Sequence, residues 1–147
     1  MPTSVAPVSI SPESWAGREY APTAPYEVTR GKIAEFAVAL GHDVRDAPKP
    51  DAPPTFAAVV ANPAWDAMFT DPELDLRLDH IVHGDQRFTF TRPLRAGDVV
   101  TATLRIDKVR VRGPVEIIST SVEVHDELDQ HVLTATSTFV HTREEAA

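Results

Sequence analysis

The sequence predicts an α+β fold, an antiparallel sheet combined with a few helices, on three patterns. Residues 30–40 place Ile33, Phe36, Ala37 and Leu40 at helical spacing. From Gln86 onward, apolar residues recur at every second position in segments separated by turn residues, the period of half-buried strands. Between these regions, residues 55–61 are all small or apolar and lie between prolines. At 147 residues and 42% hydrophobic content, the chain supports one core with little left for a second. One domain over residues 15–147 is therefore expected, preceded by a flexible tail over residues 1–14.

The elements follow in order. Residues 1–12 carry neither a basic start nor an apolar run, so they do not read as a signal peptide. A short strand is expected at residues 18–20. Ala21-Pro22-Thr23-Ala24-Pro25 forms a stiff extended lead into Tyr26-Glu27-Val28. Thr29 can accept a hydrogen bond from the first free amides of the helix over 30–40, and Gly41 is a natural C-terminal stop. Pro48, Pro50, Pro53 and Pro54 stand among charges, which makes residues 42–54 a loop. Periodicity alone leaves 55–61 open between buried helix and buried strand. Asn62-Pro63 should interrupt or restart that segment, Asn62 as cap and Pro63 in the first turn, with Trp65, Met68 and Phe69 facing inwards.

In the strand region Phe88 and Phe90 alternate with Thr89 and Thr91, and Val100, Ala102, Leu104 and Ile106 alternate with polar residues. The apolar phase then flips to Val109 and Val111. A period of two allows that only through an extra residue, so a bulge is expected near Asp107-Lys108. Gly113-Pro114 turns the chain, Ile118, Val122 and Val124 return on one face, residues 127–130 turn again, and Leu133, Ala135, Ser137 and Phe139 close the set.

Composition narrows function. A net charge of −8 and a pI near 5.1 argue against a general nucleic-acid binder, which needs a broad basic surface. The longest apolar run is far shorter than the ~20 residues of a membrane span. Cysteine is absent, which excludes disulfides, thiolate catalysis and Cys-ligated zinc, and suits the reducing cytoplasm, where the chain is expected to reside. No serine elbow, phosphate-binding glycine loop or dinucleotide fingerprint occurs, so no cofactor is expected.

Two segments carry a resemblance: Ala52-Pro53-Pro54-Thr55-Phe56, and the run from His83-Gly84-Asp85-Gln86 through Phe88-Thr89-Phe90 to Arg95-Ala96-Gly97-Asp98. Over about residues 15–141 the chain resembles the FAS1-like dehydratase group of MaoC-type hot-dog proteins, which handle acyl thioesters. The resemblance implies a hot-dog fold, a curled antiparallel sheet wrapped around a central helix, and assigns 55–61 to that helix. Phe56, Val59 and Val60 should then be buried, with Phe88 or Phe90 against them. A half-open sheet has exposed edges, so pairing with a like fold is expected.

Catalytic MaoC-type dehydratases carry Asp-x-Asn-Pro-x-His just after the first helix, a base and an acid placed to move a proton beside a thioester carbonyl and to release a hydroxyl. Here the corresponding stretch is Gly41-His42-Asp43-Val44-Arg45-Asp46-Ala47-Pro48, and the motif is absent. His42 and Asp43 are adjacent, and neighbours in an extended loop point apart, so a solvated pair is favoured over a catalytic one and no catalytic residue is assigned. Thr55 sits where a helix start offers free amides to a polarised oxygen, with simple capping as the simpler use. Thr55, Phe56 and Val59 are the candidate substrate contacts. Asp79, His80, His83 and Asp85 could supply metal ligands, but their spacing is weak off a helix, and a structural histidine is favoured, so no metal is expected. His83, Gly84 and Gln86 read as structural or partner-facing, with Gly84 permitting a backbone angle or close approach. Lys108, Arg110 and Arg112 share one strand face and could meet a phosphate or an acidic carrier, against the simpler reading of a solvated face.

The function expected is that of an accessory subunit of an (R)-3-hydroxyacyl-thioester dehydratase, acting on acyl-ACP or acyl-CoA. It resembles the non-catalytic half of the HadAB-type heterodimers of type II fatty-acid synthesis, in which the resemblance implies that a catalytic partner brings Asp and His while this chain supplies an acyl-chain wall. A non-catalytic acyl-binding or scaffold homodimer is the alternative in another class. A hot-dog thioesterase using Asp43 or Asp46 is the third.

Overall fold

The computed structural model describes residues 11–44 and 47–144. Residues 1–10, Arg45, Asp46 and 145–147 lie outside the described residues, and with them most of the expected tail. Two α-helices, α1 (Arg30–Ala39) and α2 (Ala57–Phe69), precede four long strands, β2 (Ile81–Phe90), β3 (Val99–Arg112), β4 (Val115–Asp126) and β5 (His131–Thr142). A two-residue strand β1 (Tyr26–Glu27) completes a five-stranded sheet in the order β1-β3-β4-β5-β2, antiparallel throughout. The sheet curls around α2, which packs against β3, β4 and β5, the expected hot-dog arrangement.

Alternation decides which residues reach the helix. Val100, Ala102, Leu104 and Ile106 of β3, Ile118, Val122 and Val124 of β4, and Leu133, Ala135 and Phe139 of β5 are all buried. They meet Phe56, Ala57, Val60, Ala61, Ala64, Trp65 and Met68 from α2 and the turn before it. Val59, Phe69, Phe88 and Phe90 are only partly buried around this core. The expected bulge is present. Ile106 pairs with Thr120 and Lys108 with Ser119, leaving Asp107 unpaired, and Val109 is buried beyond it. Val111, expected to follow Val109 inwards, is 36% exposed because the strand runs past the core at that end.

Four further expectations change. No strand forms at residues 18–20: Glu19 makes an isolated bridge to Arg105, and the amides of Gly17, Tyr20 and Thr23 donate to Ile106, Leu104 and Ala102. Pro22 and Pro25 have no N–H, so the segment follows β3 without forming a regular ladder, and the strand assignment passes to Tyr26–Glu27. Pro63 does not interrupt the helix, since α2 continues through it. Asn62 and Pro63 face solvent while Ala61, Ala64 and Trp65 on either side are buried, so tertiary packing outweighs the missing hydrogen bond. Thr55 does not cap α2: a 3-10 turn, Pro54–Phe56, leads into the helix with no side-chain cap. Finally, β2 begins at Ile81, five residues before the alternation becomes readable at Gln86, because Gly84 occupies a register shift between His83 and Asp85.

Candidate functional site

The loop that takes the place of the family's catalytic motif is anchored by the end of α1. Gly41 adopts φ +82°, its amide donates to Val38 O (3.0 Å), and the His42 amide donates to Ala37 O (2.8 Å), a Schellman closure. This closure fixes the backbone of His42, while the side chains of His42 and Asp43 are exposed. Asp46 lies outside the described residues.

Downstream, the loop is pinned to the β2–β3 connection. Ala52 N donates to Leu94 O (2.7 Å), Asp51 bridges Arg95 through the backbone, and Arg95 Nε donates to Asp51 Oδ1 (2.8 Å). This brings the start of the central helix beside the end of β2 and leaves a groove of about 440 Å3, with apolar Ala52, Pro54, Phe90 and Pro93 and polar Asp51, Thr91 and Arg92 along it. The polar groups are already satisfied. Arg92 donates to Asp98 at 2.8 and 3.2 Å and to Asp126 at 3.3 Å, the Asp98 bonds above all pushing its guanidinium further up. The amides of Gln130 and Leu128, with Arg92, hold the Asp126 carboxyl below its ordinary range. Thr91 Oγ1 meets His131 Nδ1 at 2.6 Å. A groove whose charges are paired within the protein presents apolar surface to a ligand and suits an uncharged, apolar group.

Of the candidate substrate contacts, Thr55 is exposed at the helix start and Val59 is half-buried. Phe56 is wholly buried, edge-on to Phe36 of α1 with ring centroids 5.4 Å apart, and acts as a core residue.

His83, Gly84 and Gln86 lie on β2, the edge strand. His83 Nε2 donates to Gln86 Oε1 (3.1 Å), which also accepts from Ser137 Oγ (2.7 Å), while Gln86 Nε2 donates to Thr136 O (3.1 Å). The His83 ring lies 4.6 Å from that of Phe139 and 5.4 Å from that of Trp65 on α2. These contacts tie the edge strand to the central helix. Gly84 has no positive φ, and a Cβ there would meet Thr138 O at 3.6 Å, an ordinary contact. The residue marks the bulge, and the expected close approach is absent. Val82 beside it is 64% exposed.

The possible metal ligands disperse. Asp79 pairs with Arg77, His80 Nδ1 donates to Thr142 O (3.1 Å), and His83 turns to Gln86. Among the described residues no group of three His, Asp or Glu is placed to hold a metal, and no helix is long and apolar enough to cross a membrane. Lys108, Arg110 and Arg112 all point outwards from β3.

One polar cluster was missed from sequence. Glu116 and His141 face each other across β4 and β5, both almost fully buried. His141 Nε2 accepts from the Arg77 amide (3.2 Å), so Nδ1 carries the proton and donates to Glu116 Oε2 (2.8 Å). Arg143 Nε donates to Glu116 Oε1 (2.6 Å), and its NH2 donates to Leu74 O (2.8 Å). The cluster fastens the connection from α2 to β2. Period two would have found it, since 133, 135, 137, 139 continues to 141, and 124, 122, 120, 118 continues back to 116.

A family model described as FAS1-like, dehydratase domain region, matches residues 14–135. A UPF0336 protein of Cutibacterium acnes is 50% identical over 131 residues, covering 88% of this chain and 92% of that protein. One from Streptomyces avermitilis is 40% identical over 139 residues, covering 87% and 93%. Among solved structures, the C-terminally truncated HadBC (3R-hydroxyacyl-ACP dehydratase) complex of Mycobacterium tuberculosis superposes with a TM-score of 0.74 at 24% identity, covering 85% of this chain and 96% of that one. A MaoC-like dehydratase superposes with a TM-score of 0.76 at 23% identity, covering 89% and 43%. At these identities the two structures establish the hot-dog fold alone.

Proposed function

Because this chain belongs to the family of FAS1-like dehydratase domain regions, we propose that it is the accessory subunit of an (R)-3-hydroxyacyl-thioester dehydratase, giving an acyl-chain wall to a catalytic hot-dog partner. The single observation that carries the reading is β2. It is a ten-residue strand at the edge of the sheet, with Val82 exposed and with an apolar groove at its Phe90 end. An open edge of that length presents a row of unpaired backbone groups, and a second sheet is what would cover them. The opposite edge needs no such cover, because the segment over residues 17–27 already lies along β3.

Chemistry divides accordingly. Dehydration needs a base at the carbon beside the thioester carbonyl and an acid at the departing hydroxyl. In this chain the loop after α1 holds His42 and Asp43 as exposed sequence neighbours, and the family resemblance assigns the Asp and His to the partner. The groove beside Pro54 and Phe90 would hold the acyl chain, and Thr55 would sit nearest the thioester at the helix start. The carrier is acyl-ACP or acyl-CoA.

Purification of the tagged chain from its native source tests the pairing. The expected result is a one-to-one complex with a hot-dog protein that carries Asp-x-Asn-Pro-x-His. Recovery of the chain only with itself would favour a homodimeric acyl-binding protein and reject the accessory role.

A further inference from the structure

The bulge at Asp107 gives β3 an outer face unlike the rest of the sheet. Beyond it Lys108, Arg110 and Arg112 project to solvent on one side, about 7 Å apart, while Val109 turns inwards. None of the three makes an ion pair among the described residues. The nearest carboxylate in sequence, Asp107, is turned back to Arg105 (3.8 Å) and Ser121 (3.1 Å). Glu116, close to Arg112 in the chain, is buried on the other face with His141 and Arg143.

The register shows what surrounds the cations. Across β4 and then β5 their rows run Ser119 and Thr138, Ile117 and Val140, Val115 and Thr142. On the β4 and β5 side the outer face is therefore neutral for about 10 Å, while on the other side the turn Pro12–Trp15 packs against β3 with Glu13 exposed and bonded to Ser11. On a chain of net charge −8, three cations stand in a line, none of them in an ion pair among the described residues. Physiological salt screens charge beyond about 8 Å, so an approaching group responds to this strip and little to the remote carboxylates.

We propose that this strip docks an acidic protein surface, that of the carrier delivering the acyl thioester, an inference that rests on the function proposed above. Geometry favours a protein over a free phosphate. A phosphate is held in a concave site with converging amides, whereas these cations are strung along an open strand face. Carboxylates four residues apart on a helix repeat about every 6 Å, close to the ~7 Å repeat of the strip. Ile117 and Val140, half-exposed beside Arg110, offer apolar contact in the middle.

Binding of the purified chain to an acidic, pantetheinylated acyl carrier protein, with coenzyme A as a separate probe, tests this without any turnover. Failure of the accessory role would appear in activity assays, and failure of the docking surface appears here. The K108E/R110E/R112E variant should weaken carrier binding by at least about 10-fold and flatten its dependence on salt between ~50 and ~300 mM. The charge-conserving K108R/R110K/R112K variant should stay within about 3-fold, with an unchanged circular dichroism spectrum in both. No carrier binding by the wild type at low salt, or binding indifferent to charge reversal, would overturn the proposal. So would coenzyme A binding that depends on the same three residues.

Discussion

Glu116, His141 and Arg143 illustrate what burial demands of single residues. A carboxylate almost fully out of water is tolerable only because His141 Nδ1–H and Arg143 Nε–H both donate to it. Glu116→Gln or His141→Phe leaves a buried polar group without its partner and should destabilise the fold by about 3–5 kcal/mol in urea unfolding; a loss below 1 kcal/mol would mean that the cluster contributes little. Asp71 makes a second case. Burial raises its carboxyl, but hydrogen bonds from Tyr20, Arg18 and the Glu73 amide outweigh that and leave it lowered from its ordinary 3.8. A depressed folded value means that its stabilisation is complete above the unfolded range and disappears as pH falls through the folded one. Asp71→Asn should therefore destabilise at neutral pH and flatten the fall in melting temperature below about pH 4. An unchanged acid limb would contradict it. The exposure of the His42 and Asp43 side chains was readable from sequence, since both lie in a proline-rich loop. Period two carries Glu116 and His141 onto the buried face, but their pairing was not readable, because the partners stand 25 positions apart.

At the scale of elements, local patterns told most where one force acted alone. The phase flip at Asp107 forecast the bulge because a half-buried strand has no other way to keep Val109 inside and Lys108 outside. Deleting Asp107 removes the one extra residue and restores plain alternation, so Ile106 and Val109 stay inside, Lys108, Arg110 and Arg112 stay outside, and the variant should keep a cooperative melt; loss of the cooperative transition would refute that register. Competing forces made other elements harder to read. Pro63 reads as a breaker, yet buried residues on both sides hold α2 straight through it. Its cost persists, so Pro63→Ala should raise stability by about 1–2 kcal/mol in urea titration, the helix gain exceeding the extra freedom of the unfolded chain. A destabilised variant would show that the ring has a packing role. The start of β2 was hidden for a related reason: the bulge at Gly84 breaks its alternation, and residues 82–85 are all largely exposed, His83 included despite its contact with Phe139 and Trp65.

For the whole molecule, the fold class and the curl of the sheet around a central helix were legible from strand periodicity together with family resemblance. The groove was not, because it joins residues 51–54 to residues 90–93 through the Ala52–Leu94 and Asp51–Arg95 contacts, which no local pattern encodes. Under the proposed function the groove and the open β2 edge would gain a use together, the one as an acyl wall and the other as an uncovered strand for a second sheet. The most direct measurement is hydration of a trans-2-enoyl thioester by the purified chain, alone and mixed with a hot-dog subunit bearing Asp-x-Asn-Pro-x-His. The account predicts negligible turnover alone, since missing acid–base help slows such chemistry by about 10²–10⁴-fold. It predicts activity in the mixture, dependent on the partner's histidine and indifferent to His42→Ala or Asp43→Ala in this chain. Full turnover by the chain alone, abolished by Asp43→Ala, would contradict it.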